Sequence, residues 1–217
     1  MVGSVMQVAP VQALTFDLNC VISSAGCAPT VSYGTITITD NVANSNKVDV
    51  TVNLVGGGIH KVQKLMLNFD PSLSDSGWSV TGGVTNINAD ENDVQADGYT
   101  AGKFDLEIPD TGNGGTEPLT VTLTRDPFLS PATNLNPSTF DFTDSSGLMF
   151  AAVHIGNLFC ANQGAGVCSP GVGGQQSLWV GSRPGATPTV PEPASVLLLG
   201  SGFVGLGLWG MKRRKNA

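Results

Sequence analysis

The sequence predicts an all-β body, an antiparallel β-sandwich or jelly roll, with a transmembrane helix at its C-terminal side. Three observations carry this expectation. Apolar and polar residues alternate over short segments rich in Val, Ile and Thr. Gly, Pro, Asn and Asp interrupt these segments at short intervals. Near the C-terminus, a long uncharged apolar run ends in a block of basic residues. With 28 Gly and 13 Pro among 217 residues, long helices are disfavoured in the body, and the length suits one main hydrophobic core.

The clearest strands are Tyr33–Thr39 and Val48–Val55. In the first, Ile36 and Ile38 share one face and threonines the other; in the second, Val48, Val50 and Val52 face one way. Similar patterning predicts strands at Leu14–Leu18, Lys61–Phe69, Trp78–Val80, Val84–Asn88, Gly102–Ile108, Leu119–Thr124, Thr139–Phe142, Leu148–His154 and Ser177–Val180. Turn-rich stretches such as Gly56–Gly58 and Asp110–Gly115 separate them, and no repeat of fixed period is present. In the strand at Leu148–His154, Phe150, Ala152 and His154 should share one face while Ala151 and Val153 share the other, both covered. His154 then reads as a hydrogen-bonded strand residue rather than a ligand or base, and His60 as exposed.

Charge narrows the partners. Through Val190, six basic residues face sixteen acidic ones, a net of −10, and no basic stripe with interleaved aromatics occurs. Such a body repels phosphate backbones, which excludes nucleic acid as a partner. Catalysis requires a nucleophile with its base, a tuned carboxylate pair or a metal cluster, and no motif of these kinds is present. Asp105 and Glu107 read as solvated strand-face carboxylates. The acidic stretch from Asn88 to Gly98 reads as a loop whose Asp90, Asn92, Asp93 and Asp97 form a weak calcium candidate. It lacks the bidentate Glu of an EF-hand, Ala101 standing at that position. No other cofactor is expected.

The four cysteines fall into two close pairs, Cys20 with Cys27 and Cys160 with Cys168. Loops of this length close readily, so two local disulfides and an oxidising compartment are expected. Zinc is disfavoured, because neither pair has knuckle spacing and both histidines are distant in sequence.

Residues 194–211, ASVLLLGSGFVGLGLWGM, carry no charge. As a helix they would span about 27 Å, close to the hydrocarbon thickness of a bilayer. Lys212, Arg213, Arg214 and Lys215 follow as a stop that stays on the cytoplasmic side, which places the acidic body outside. Ahead of the run, a Pro/Thr/Gly-rich linker over 182–190 leads into Pro191, Glu192 and Pro193, an extended segment open to a protease.

The order Pro-Glu-Pro, Gly-rich apolar span and basic terminus resembles the PEP-CTERM domain, a bacterial C-terminal sorting signal processed by an exosortase. The resemblance covers about residues 190–215. It implies cleavage near Pro191–Pro193, loss of the helix, and release or transfer of the body to the cell surface. Residues 150–156 and 177–182 loosely resemble the final strands of many PEP-CTERM bodies.

At the other end, Val11 and Ala13 of Val-Gln-Ala fit the −3 and −1 positions of a signal-peptide cleavage site. Residues 1–13 therefore read as the remnant of a signal peptide whose start is truncated. The expected organisation is a signal remnant over 1–13, a secreted sandwich over 14–181, a linker over 182–190 and the sorting signal over 191–215. The precursor would be held in the inner membrane through residues 194–211, with exosortase as its partner. Its expected role is that of a non-catalytic surface or extracellular-matrix component associated with biofilm and exopolysaccharide. The alternatives are a secreted carbohydrate-binding module, for which Tyr33, Trp78, Tyr99 and Trp179 are the available aromatics, and a secreted hydrolase.

Overall fold

The computed structural model describes residues 12–23, 26–29, 32–55, 60–84, 86–109, 118–128, 134–158 and 176–183, with backbone alone at 23, 26–29, 157–158 and 176. In chain order its strands are β1 (Ala13–Asp17), β2 (Cys20–Ser23), β3 (Gly26–Pro29), β4 (Gly34–Asp40), β5 (Lys47–Leu54), β6 (Lys61–Leu67), β7 (Trp78–Thr81), β8 (Asn88–Val94), β9 (Phe104–Pro109), β10 (Leu119–Arg125), β11 (Ala151–Leu158) and β12 (Gln176–Ser182). They form two sheets, five strands in the order β1-β4-β5-β10-β7 and seven in the order β3-β2-β12-β11-β6-β9-β8. Every pairing is antiparallel. The chain changes sheet between β1 and β2, where the Leu18 amide donates to Gly34 O and the Asn19 amide to Gly181 O.

The two inner faces form one apolar core. Leu14, Phe16, Ile36, Ile38, Val48, Val50, Val52, Val121 and Leu123 of the five-stranded sheet meet Val62, Leu65, Leu67, Leu106, Ile108, Val153, Ile155 and Val180 of the other. The alternation in YGTITITD and KVDVTVNL produces this face, and its other phase leaves an outer surface of short polar side chains. There Thr15 stands opposite Thr37, Thr37 opposite Thr51, and Thr51 opposite Thr120. At the start of β4, Gly34 adopts a φ of +149°, and a Cβ there would run into the backbone carbonyl of Asn53. Only glycine accommodates that approach.

The seven-stranded sheet is also covered on part of its outer face, by a second cluster of Ile22, Met66, Val94, Ala96, Tyr99, Phe104, Met149, Ala152 and Trp179. Both faces of β11 are therefore covered, as expected. Phe150 departs from the expected face: it precedes the strand and turns inward to stack on Phe16, ring centroids 5.5 Å apart.

Three segments differ from the sequence expectation. Of the expected strand Val84–Asn88, the described residues Val84, Asn86 and Ile87 are not in a strand; Val84 is buried after the bend at Gly82 and Gly83, and the strand starts at Asn88 and runs through the acidic stretch as β8. Thr139–Phe142 is replaced by a 3-10 turn at Pro137–Phe140, because Pro137 suits the first helical position and the Thr139 side chain accepts from the Asn136 amide. The hairpin of β2 and β3 was not expected, since CVISSAGCAP is short and small-residue-rich. The expected helix over 194–211 lies outside the described residues; among the described residues no helix is long and apolar enough to cross a membrane.

Candidate functional site

The described body ends in β12, which lies inside the seven-stranded sheet between β2 and β11. Residues 177–183 read Ser-Leu-Trp-Val-Gly-Ser-Arg: Trp179 packs in the outer cluster, Val180 in the core between sheets, and Ser182 is buried at the strand end. The linker and the expected sorting residues Pro191, Glu192, Pro193, Lys212, Arg213, Arg214 and Lys215 follow and lie outside the described residues.

The densest polar arrangement of the body sits beside the outer cluster. Asp144, 3% exposed, collects donors on both carboxyl oxygens: the Leu148 amide at 2.9 Å and the Met149 amide at 3.1 Å on Oδ1, the Tyr99 hydroxyl at 2.5 Å on Oδ2, and the Ser146 hydroxyl at 2.9 Å from each. The turn that follows closes with the Gly147 amide on Asp144 O. Lys103 clamps the same turn, its amide donating to Ser145 Oγ at 2.8 Å. Asn68 adds two donations, to Met149 O and Phe150 O.

Burial is the main force on the ionisable groups here. It pushes the Tyr99 hydroxyl up to about 12, helped by the Asp144 carboxyl that accepts its proton. Burial also raises the Asp105 carboxyl, with Glu91 and Asp144 acting the same way, while donations from the Phe69 and Asn92 amides favour its ionised form. Asp105 is thus a buried acceptor that ties β9 to the segment after β6 and to β8, not the solvated carboxylate expected. Glu107, two residues on, pairs with Lys64 at 3.1 Å.

The calcium candidates take other roles. Asp90, Asn92 and Asp93 lie along β8, an edge strand rather than a loop, and Asp97 follows in a turn. Asp93 is exposed and ion-pairs with Lys103, which lowers its pKa. The Asn92 amide donates to Asp105 at 2.8 Å, and its φ of +54° marks the irregularity in the β8–β9 register. Among the described residues no group of three or more His, Cys, Asp or Glu is placed to hold a metal ion.

None of the four aromatics considered for glycan binding presents an open ring. Tyr99 is fully buried; Trp78 packs between Phe69 and Phe140 and donates to Ser74 O; Tyr33 is half-buried against the core; and Trp179, 7% exposed, lies under His154. His154 and Trp179 stack with centroids 4.7 Å apart and planes 16° apart. Stacking, rather than the expected hydrogen bonding, is the contact that holds this histidine. Burial lowers its pKa, Lys64 adds to the lowering, and Asp97 opposes it. His60 is half-buried rather than exposed, and its Nδ1 is enclosed.

Cys20 is fully buried on β2, its Sγ 3.1 Å from Gly181 O. The side chains of Cys27, Cys160 and Cys168 lie outside the described residues.

Comparison with known families bears on the tail. A family model described as the PEP-CTERM protein-sorting motif matches residues 189–215. The chain carries a PEP-CTERM sorting motif. The motif spans the expected Pro-Glu-Pro, apolar run and basic block, and it marks the chain as an exosortase-sorted, exported protein whose precursor is membrane-anchored and processed for the cell surface. No curated protein and no solved structure matches the chain. The PEP-CTERM motif begins seven residues after β12 ends at Ser182, so the sorting signal follows the folded body with only a short linker between them.

Proposed function

We propose that exosortase cleaves this precursor near Pro191–Pro193 and delivers the sandwich to the cell surface or extracellular matrix, where it serves as a non-catalytic component of an exopolysaccharide-rich biofilm. The single observation that carries this reading is the sorting motif that begins seven residues after the last described strand. Support for a non-catalytic body comes from its carboxyl groups. Asp105 and Asp144 are spent on backbone amides and a tyrosine hydroxyl, and Glu107 and Asp93 on lysines. These four carboxyl groups are thereby committed to structural contacts rather than set as a pair facing a cleft. The inner-membrane hold through residues 194–211 and the bridges Cys20–Cys27 and Cys160–Cys168 belong to the same proposal.

Glu192→Ala tests the sorting step. The apolar run and the basic stop are untouched, so the precursor should still fractionate with the inner membrane. The protease loses the one charged group in its recognition tripeptide, so full-length protein should accumulate. Neutralising Lys212, Arg213, Arg214 and Lys215 should instead weaken retention, since each charge resists the membrane centre by about 2.5–3.5 kcal/mol. Immunoblots of membrane and medium read both variants. Glu192→Ala protein reaching the medium at normal size and yield would show that Glu192 is not read by the protease and would sink the sorting reading.

A further inference from the structure

We infer that β12 is the closing strand of the body, and that it seats only after the chain through Ser182 has crossed the membrane, so that the fold is completed on a tail-held precursor. This rests on the proposed membrane hold of the tail. The topology carries the rest. In the order β3-β2-β12-β11, the strand pairing that joins the hairpin of β2 and β3 to the remainder of its sheet is, among the described residues, that with β12.

Until β12 arrives, β2 and β11 each present an unpaired edge, and the groove between them is shaped for one extended segment. The bonds that fill it come from β12: Gly181 O accepts from the Asn19 amide at 3.1 Å, and Ser182 O accepts from the Phe150 amide at 3.0 Å. The strand also plugs both layers, with Val180 in the inner core and Trp179 in the outer cluster. Its partner Cys20 lies 161 residues earlier in the chain, so this pairing is among the most non-local in the molecule. It is the sort of contact that forms late.

A chain that crosses N-terminus first delivers β12 just before the linker. Eight residues separate Ser182 from Pro191. They reach at most about 30 Å. A body of this size has a radius of gyration of about 15 Å, so the strand can seat while the tail stays in the membrane.

The test uses the full chain. In cells expressing Glu192→Ala, the retained precursor should resist protease added from outside the inner membrane as well as the processed body does. Adding Val180→Asp should convert that resistance to rapid digestion. A synthetic peptide of residues 176–183 should restore most of it, and a scrambled peptide should not. Digestion of the tail-bearing native body would overturn the inference. So would resistance in the Val180→Asp chain, or equal protection by native and scrambled peptides. Failure of the sorting reading is recognised separately, because Glu192→Ala protein would then not fractionate with the membrane, whereas peptide rescue reads the seating of β12 alone.

Discussion

Removing the Asp144 carboxyl should cost far more than neutralising it. In Asp144→Ala the Met149 amide and the Tyr99 hydroxyl, both on fully buried residues, lose their acceptor, while the Leu148 amide sits on a 43% exposed residue and can turn to water. A stranded buried donor costs about 1–3 kcal/mol. The Tyr99 hydroxyl can redirect its proton to Ser146 Oγ at 2.8 Å, which relieves part of the loss. The expected destabilisation is therefore about 3 kcal/mol. Asp144→Asn keeps one oxygen for the amide pair and turns its NH2 toward the Tyr99 oxygen, which can accept, so its cost should be about 1 kcal/mol. Urea unfolding of the purified, processed body reads both. With an m-value of about 2–3 kcal/mol/M, the alanine variant should lose about 1–1.5 M in midpoint with m unchanged. Equal midpoints for the two variants, or an alanine cost below about 1 kcal/mol, would refute the role of Asp144 as the acceptor that holds residues 99–105 against 144–149.

Three further outcomes follow from the same contacts. Because the Tyr99 hydroxyl is pushed up to about 12, the stability it contributes is present below its unfolded value near 10 and lost as pH rises toward 12; Tyr99→Phe should flatten that alkaline slope in denaturation midpoints. His154 is lowered by burial and titrates in the field of Lys64 and Asp97, so stability should fall as pH drops below about 6.5, with His154→Gln insensitive over that window; Trp179 fluorescence during unfolding measures it, and equal slopes would remove His154 as the cause. Non-reducing peptide maps of exported protein should contain Cys20–Cys27 and Cys160–Cys168 bridges, and a bridge joining the two ends of the chain would overturn that pairing.

The regular strands were legible because their alternation is strict. Ile36 and Ile38, and Val48, Val50 and Val52, sit where the period-two pattern puts them. What escaped was set by partners remote in sequence. The hairpin of β2 and β3 has weak strand-forming composition, and the edge of β12 that it pairs with comes from the opposite end of the chain. Thr139–Phe142 alternates as a strand would, but Pro137 and the Asn136 cap settle the local backbone first. His154 and Trp179 were readable as strand residues, whereas their stacking depends on the register of β11 against β12. The sorting tail was the most legible part, because composition and order along one linear segment carry its signal.

The acidic stretch shows how position in a fold changes the meaning of charge. Read along the chain, Asp90, Asn92, Asp93 and Asp97 resemble a cluster of oxygen ligands, with Glu91 among them. On the folded body the first three lie on β8, at the free edge of the seven-stranded sheet, with Asp90, Glu91 and Asp93 all exposed. A bare strand edge invites pairing with a neighbouring chain, and repeated negative charge along it makes that pairing costly. The Asn92 irregularity works in the same direction, since it breaks the even spacing of the ladder. The body is already acidic overall. Charge that looks like a cation site in sequence therefore lies, in the fold, along an edge strand, where it disfavours pairing with another chain.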